Sequence, residues 1–189
     1  MSYGDGIAKK TGKLGEAEAE KFFIENGFEC YKPIPDIGVD RVLSLKKKSD
    51  KQIKIQIKGR RQPENPRWFQ LTVPRAQLKE AHESKQDLNE LWKQRIYMVD
   101  FWVLVSIPRN EIWVFPSKVI HEIADINFKK YFTRKDNNYN QLFYDKNLKV
   151  EKKHKELNLD IKDENGIELF KKYENFKNNI SLIKEFANS

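Results

Sequence analysis

A chain of 189 residues is long enough for one domain of ordinary size with a real hydrophobic core. Charged residues make up 34% and apolar residues 39%, the formal charge is +8, and 4 Trp, 7 Tyr and 12 Phe argue against global disorder. No apolar run approaches the roughly 18 residues a bilayer crossing needs, the opening MSYGDGIAKKTGKLGE has no hydrophobic leader, and the single cysteine excludes a disulfide framework or a cysteine zinc cage. The expectation is a soluble, cytoplasmic protein that does not contact membranes.

Residues 12–26, GKLGEAEAEKFFIEN, are good helix formers closed by Gly27, where a left-handed cap is wanted. At 100° per residue Ala19, Phe22 and Phe23 share one arc, the expected buried face. Glu16 falls about 20° from Phe23 on that wheel, whereas Glu18 and Glu20 lie outside the arc. Glu16 is therefore a carboxylate at the margin of the core-facing side.

Residues 39–45 (VDRVLSL) and 51–58 (KQIKIQIK) read as two strands joined by the polar turn KKKSD. In the second, Ile53, Ile55 and Ile57 share one face and Lys54, Gln56 and Lys58 the other. With the turn at Lys46 to Asp50, Leu45 faces Lys51 and Asp40 lies opposite Gln56, a pair whose Cβ atoms are roughly 5 Å apart. A third strand is expected at 68–73 (WFQLTV), after a proline-containing link, then a helix over 75–95. MVDFWVLVSI (98–107) suits a strand buried on both faces, and EIWVFP (111–116) a further strand after the turn PRNE. The aromatic side chains of WFQL and DFWVLV are assigned to the core rather than to base stacking.

Beyond Pro116 the chain turns to Lys, Asn and Asp. Residues 117–124 suggest a short helix, 139–145 a strand and 146–165 a polar linker. Leu169, Phe170, Tyr173, Phe176, Ile180, Ile183 and Phe186 then form a helical stripe, expected to pack on the domain or on a partner subunit. The organisation predicted is a core over residues 1–116 and a dependent C-terminal extension over 117–189.

The basic surplus is concentrated. From Arg41 to Arg75 there are eleven Lys/Arg against Asp50 and Glu64, a surplus of nine; the rest of the chain holds 25 basic and 26 acidic residues. Such a block is the electrostatic footprint of a polyphosphate partner, although a solvated lysine-rich hairpin has the same composition. Arg60 and Arg61, together with Lys47, Lys48, Arg67 and Arg75, are the expected contacts to the phosphates of such a partner, which position a backbone without reading its sequence.

Within this scheme Asp40, Gln56 and Lys58 share one sheet face near Glu16. Two carboxylates and an amide oxygen around one point make a hard, oxygen-rich set suited to Mg²⁺, for which Mn²⁺ can substitute. A lysine beside such an ion can hold the attacking water or neutralise a phosphate. The competing reading of Gln56 and Lys58 is an ordinary solvated strand face, and of Glu16 a helix-surface carboxylate.

Glu16, then Val39-Asp40, then Gln56-Ile57-Lys58 resembles the PD-(D/E)xK nuclease superfamily in its Glu–Asp–(Glu/Gln)-x-Lys form. GEAEAEKFF, PDIGVDRV and IQIKGRR are similar to archaeal Holliday-junction resolvases, Mrr-like restriction nucleases and intron-homing endonucleases that use Gln-x-Lys. The resemblance spans residues 12–116 and nothing in 117–189. It implies an α/β (α+β) restriction-endonuclease-like αβββαβ core with a central mixed sheet flanked by helices, here followed by a helical C-terminal extension. By it Asp40 would be the central metal ligand, Gln56 and the Ile57 carbonyl would add oxygens, Glu16 would bind through water or a second metal, and Lys58 would act on the nucleophilic water. Gln56 departs from the acid in the motif's name and removes one negative charge from the site. Pro35-Asp36 is the literal alternative to Asp40; the hairpin register favours Asp40.

The expected activity is metal-dependent hydrolysis of DNA phosphodiesters, of restriction, homing or junction-resolving type, by a homodimer. The alternatives are a catalytically silent DNA-binding module with the same fold and an interaction protein assembled through its last helix. His82, His121 and His154 show no metal-ligand spacing. Cys30 reads as a small core residue, and no glycine-rich phosphate loop implies ATP.

Overall fold

The structure is a computed structural model that describes residues 3–34, 38–45, 51–61, 69–74, 84, 88–133, 156–161 and 172–189. It divides into two compact units, one of Met1–Phe69, Met98–Ser117 and Lys162–Ser189, the other of Gln70–Tyr97 and Lys118–Ile161.

The first unit opens with helix α1 (Tyr3–Glu25), which begins nine residues before the expected start. Gly4, Gly6, Gly12 and Gly15 mask its first half in sequence, because each glycine costs about 1 kcal/mol of helix propensity. At the other end the expected cap is present: Gly27 has φ +90° and its N–H donates to the Ile24 carbonyl at 3.1 Å.

Strands β1 (Phe28–Tyr31), β2 (Arg41–Leu45) and β3 (Ile53–Arg60) follow. They form an antiparallel meander. β5 (Phe101–Ser106) lies parallel to β3, and β6 (Glu111–Pro116) lies antiparallel to β5. The result is a mixed five-stranded sheet in the order β1-β2-β3-β5-β6 with helices, an α+β architecture. The third strand of the meander is 28–31 rather than 68–73. The segment near 68–73 is β4 (Phe69–Pro74), which pairs instead with β7 (Glu156–Ile161) in a separate two-stranded sheet. Four residues with a single fully buried apolar side chain, Phe28, gave β1 no alternating signal to read.

Register and burial follow from the period-2 alternation. Arg41 pairs with Ile55, Val42 with Lys54 and Leu43 with Ile53, as the hairpin turn predicts. Ile53, Ile55 and Ile57 join Leu43, Phe101, Val103, Val105 and Val114 in a buried cluster that receives Ala19 and Phe23 from α1. Each such side chain taken from water contributes roughly 1.5–3 kcal/mol. The same cluster receives Ile183 and Ala187 from the C-terminal helix, numbered α4 below (Ser181–Asn188), with Phe186 edge-on to Phe101 at 5.4 Å.

On the other face Trp102, Leu104, Trp113 and Phe115 are buried, so the aromatics of β5 are core residues as expected and those of β6 join them. Tyr173 and Phe176 pack on the Phe115 ring, and a single bridge joins Trp113 to Lys177.

In the second unit the described elements are β4, β7, α2 (Leu88–Tyr97) and α3 (Ser117–Thr133), the last longer than the helix expected at 117–124. Leu91, Ile96, Ile120, Ile123 and Ala124 are buried, and the His121 ring lies 5.4 Å from Tyr97. β7 falls inside the segment read as a polar linker. The strand expected at 139–145 lies outside the described residues, as do His82, His154, Leu169 and Phe170. No helix among the described residues is long and apolar enough to cross a membrane.

Candidate active site

At the start of β2 the chain changes direction relative to the sheet. Arg41 opposes Ile55 and so points toward α1, whereas Asp40, one residue earlier, carries its side chain to the Gln56 face. The Asp40 N–H donates to the Ile55 carbonyl at 3.0 Å, one residue out of the pairing that Arg41, Val42 and Leu43 keep. The two side chains meet: Gln56 Nε2 donates to Asp40 Oδ2. The Ile57 main-chain N–H donates to the same oxygen at 2.6 Å. Oδ1 receives no donor among the described residues.

Burial makes this carboxylate costly. Desolvation pushes the Asp40 pKa above its ordinary value, and the Glu16 charge adds to that effect. The Ile57 N–H, Lys58 and Arg41 pull the other way and do not cancel it. Gln56 itself is 6% exposed, which sets it apart from a solvated strand face, and Lys58 is half-buried.

Glu16 lies near enough to act on Asp40, but its partner is Arg41. Arg41 Nη1 donates to Glu16 Oε2 at 3.0 Å and to the Asp40 carbonyl at 2.7 Å. Its Nε and Nη2 both reach Glu20 Oε2 at 3.1 Å. One guanidinium, 9% exposed, thus joins two carboxylates a helical turn apart to the main chain of Asp40. Sequence reasoning set Glu20 aside and counted Arg41 only as basic charge. The available signal was parity: in the predicted register residue 41 faces the helix, and Glu16 and Glu20 form an i,i+4 pair on the flank it meets.

The remaining expected residues divide by position. Arg60 closes β3 and is half-buried, and Arg61 follows it exposed. Lys47, Lys48, Arg67, Arg75 and the alternative Asp36 lie outside the described residues. Cys30 packs against the core cluster, and burial pushes its thiol up to about 11, which suits a packing role and not a nucleophile.

The donor set fits a hard divalent cation. Asp40 offers a half-buried carboxylate in which desolvation outweighs its positive partners, with Oδ1 open; the Gln56 amide and the Glu16 carboxylate stand beside it. Among the described residues no group of three His, Cys, Asp or Glu side chains gathers.

No family model matches the chain, and no curated protein matches it. The chain is similar to a solved bacterial homing endonuclease, I-Ssp6803I, with 15% identity, a TM-score of 0.45 and coverage of 95% of this chain and 92% of that one.

Proposed function

We propose that this protein is a Mg²⁺-dependent DNA endonuclease whose site is Asp40, Gln56, Ile57 and Lys58 on the sheet with Glu16 on α1. The single observation that carries the reading is the Asp40–Gln56 contact beside Lys58: a half-buried carboxylate, an amide and an ammonium on one face of two adjacent strands. The resemblance of Glu16, Asp40 and Gln56-Ile57-Lys58 to the Gln-x-Lys nucleases and the basic block around them agree with it.

A divalent cation held by Asp40 and Gln56 would offset phosphate charge and acidify water. The chain's own groups do the rest. Asp40, fixed by the Ile57 N–H, would hold the cation, and Gln56 would offer it the amide oxygen. Lys58, two residues on and on the same face, directs its ammonium to the attacking water or to a phosphate oxygen. One P–O bond forms to the water oxygen, one P–O ester bond breaks, and the leaving oxygen takes up a proton. Arg60 and Arg61 hold adjacent phosphates. Cutting both strands of a duplex takes two such sites, so the active species is a homodimer, which light scattering with and without DNA tests.

The experiment is plasmid nicking and linearisation in Mg²⁺ or Mn²⁺. Wild type should cleave, and Asp40→Ala and Lys58→Ala should fall by roughly 10²–10⁴. Equal rates in all three would remove these residues from the reaction. A panel of linear duplex, single strand and four-way junction assigns the substrate.

One observation favours a second reading, a silent DNA-binding module of the same fold. Gln56 replaces an acid, and Arg41 already holds Glu16. Salt-dependent DNA binding with no cleavage in any divalent cation would establish it.

A further inference from the structure

The basic block read from the sequence begins at Arg41, yet the fold brings an earlier group of cations to the same place. Lys9, Lys10 and Lys13 lie on the N-terminal half of α1 and are all exposed. That half of the helix is pressed against the end of β3: a Cβ on Gly59 would stand 2.8 Å from the Thr11 carbonyl oxygen and 3.1 Å from the Gly15 Cα. Gly59 is flanked by Lys58 and Arg60, so α1 crosses the sheet where the candidate site ends and the arginines begin.

Helical geometry sets the direction of the lysines. At 100° per residue Lys9, Lys13, Glu16 and Glu20 fall within an arc of about 60° on α1. Glu16 and Glu20 on that arc grip Arg41 beside Asp40. Lys13 precedes Glu16 by about 4.5 Å of helix rise and Lys9 by about 10.5 Å. Lys10 lies farther round, on the outward side. The ion pairs described on α1 lie in its later turns, Lys21 with Glu25 and Arg41 with Glu16 and Glu20.

We propose that Lys9, Lys10 and Lys13 form a second phosphate-binding surface, on α1, which holds the DNA backbone beside the scissile bond. The proposal rests on the endonuclease reading for the identity of the polyanion. These lysines contact phosphate and carry no base specificity.

The test is duplex binding by fluorescence anisotropy in EDTA over a series of salt concentrations. It compares wild type, the triple variant Lys9→Gln/Lys10→Gln/Lys13→Gln, its all-arginine counterpart, and Lys21→Gln. Lys21, on the same helix near Glu25, is the control for general charge. The triple glutamine variant should bind roughly tenfold or more weakly, with a salt slope shallower by about 0.9 for each lost contact. The arginine variant should restore both, and Lys21→Gln should change neither. A wild-type slope and affinity in the glutamine variant, or an equal loss in Lys21→Gln, would overturn the α1 surface while leaving the endonuclease reading intact. No DNA binding by the wild type would overturn both.

Discussion

Gly15 on α1 and Gly59 on β3 meet backbone to backbone: a Cβ on Gly15 would stand 2.7 Å from the Gly59 Cα. The contact sets how closely the helix approaches the strand and so how near Glu16 comes to Asp40 and Lys58. Because the obstructing atoms are main chain, neither glycine accepts alanine without moving an element. Gly59→Ala and Gly15→Ala should each lose about 1–3 kcal/mol, as overpacked sites do, read from urea midpoints. An unchanged midpoint would show that α1 sits farther from the sheet.

Arg41 links α1 to the head of β2, and its loss leaves two neighbouring carboxylates uncompensated. Both are partly exposed, at 29% and 39%, so the cost should fall below that of a fully buried pair. Arg41→Leu should lose about 1–3 kcal/mol at neutral pH. Arg41→Lys should recover only part, because one ammonium lacks the fork that serves Glu16, Glu20 and the Asp40 carbonyl together.

The raised pKa of Asp40 has a defined sign. Native protein holds that proton more tightly than the unfolded chain, because burial penalises the carboxylate. Ionisation therefore costs native stability as pH climbs from the unfolded value of 3.8 through the folded one, and the whole cost is present at neutral pH. Asp40→Asn should be more stable than wild type at pH 7 in EDTA, with the advantage fading as pH falls toward 3.8. Chemical denaturation across that range checks it, and a less stable variant at pH 7 would contradict it. The carboxylate is then kept at a cost to the fold, as at a functional site.

The C-terminal helix belongs to the sheet's own core. Ile183 is fully buried in the cluster with Ile55 and Phe101, and Lys51 Nζ donates to the Phe186 carbonyl at 2.7 Å. Ile183→Ala should lose about 2–5 kcal/mol in a thermal or urea melt. A loss below 0.5 kcal/mol would detach α4 from the core.

What the sequence disclosed and what it hid follow from the range of the signals. The β2–β3 register was legible because a polar turn and strict alternation of Ile53, Ile55 and Ile57 leave only one pairing. That register alone placed Asp40 against Gln56. β7 was legible too but unread: ELNLDI alternates Leu157, Leu159 and Ile161 within a polar stretch. β1 was hidden by its shortness, and the first half of α1 by its glycines. The Arg41 link was hidden for another reason. Its partners stand 21 and 25 residues earlier on a different element, and no local period connects a strand to a helix flank. Glu16 was found as a candidate by its place on the wheel, but its Arg41 contact appears only once the helix is laid on the sheet.

Calorimetric titration of Mn²⁺ into wild type and Asp40→Asn at pH 7 asks whether the residues at the head of β2 and the middle of β3 hold an ion. Wild type should bind saturably, and the variant should bind at least roughly tenfold more weakly, having lost the carboxylate charge offered to the ion. Indistinguishable isotherms would place the ion elsewhere and remove the chemical basis of the proposed site.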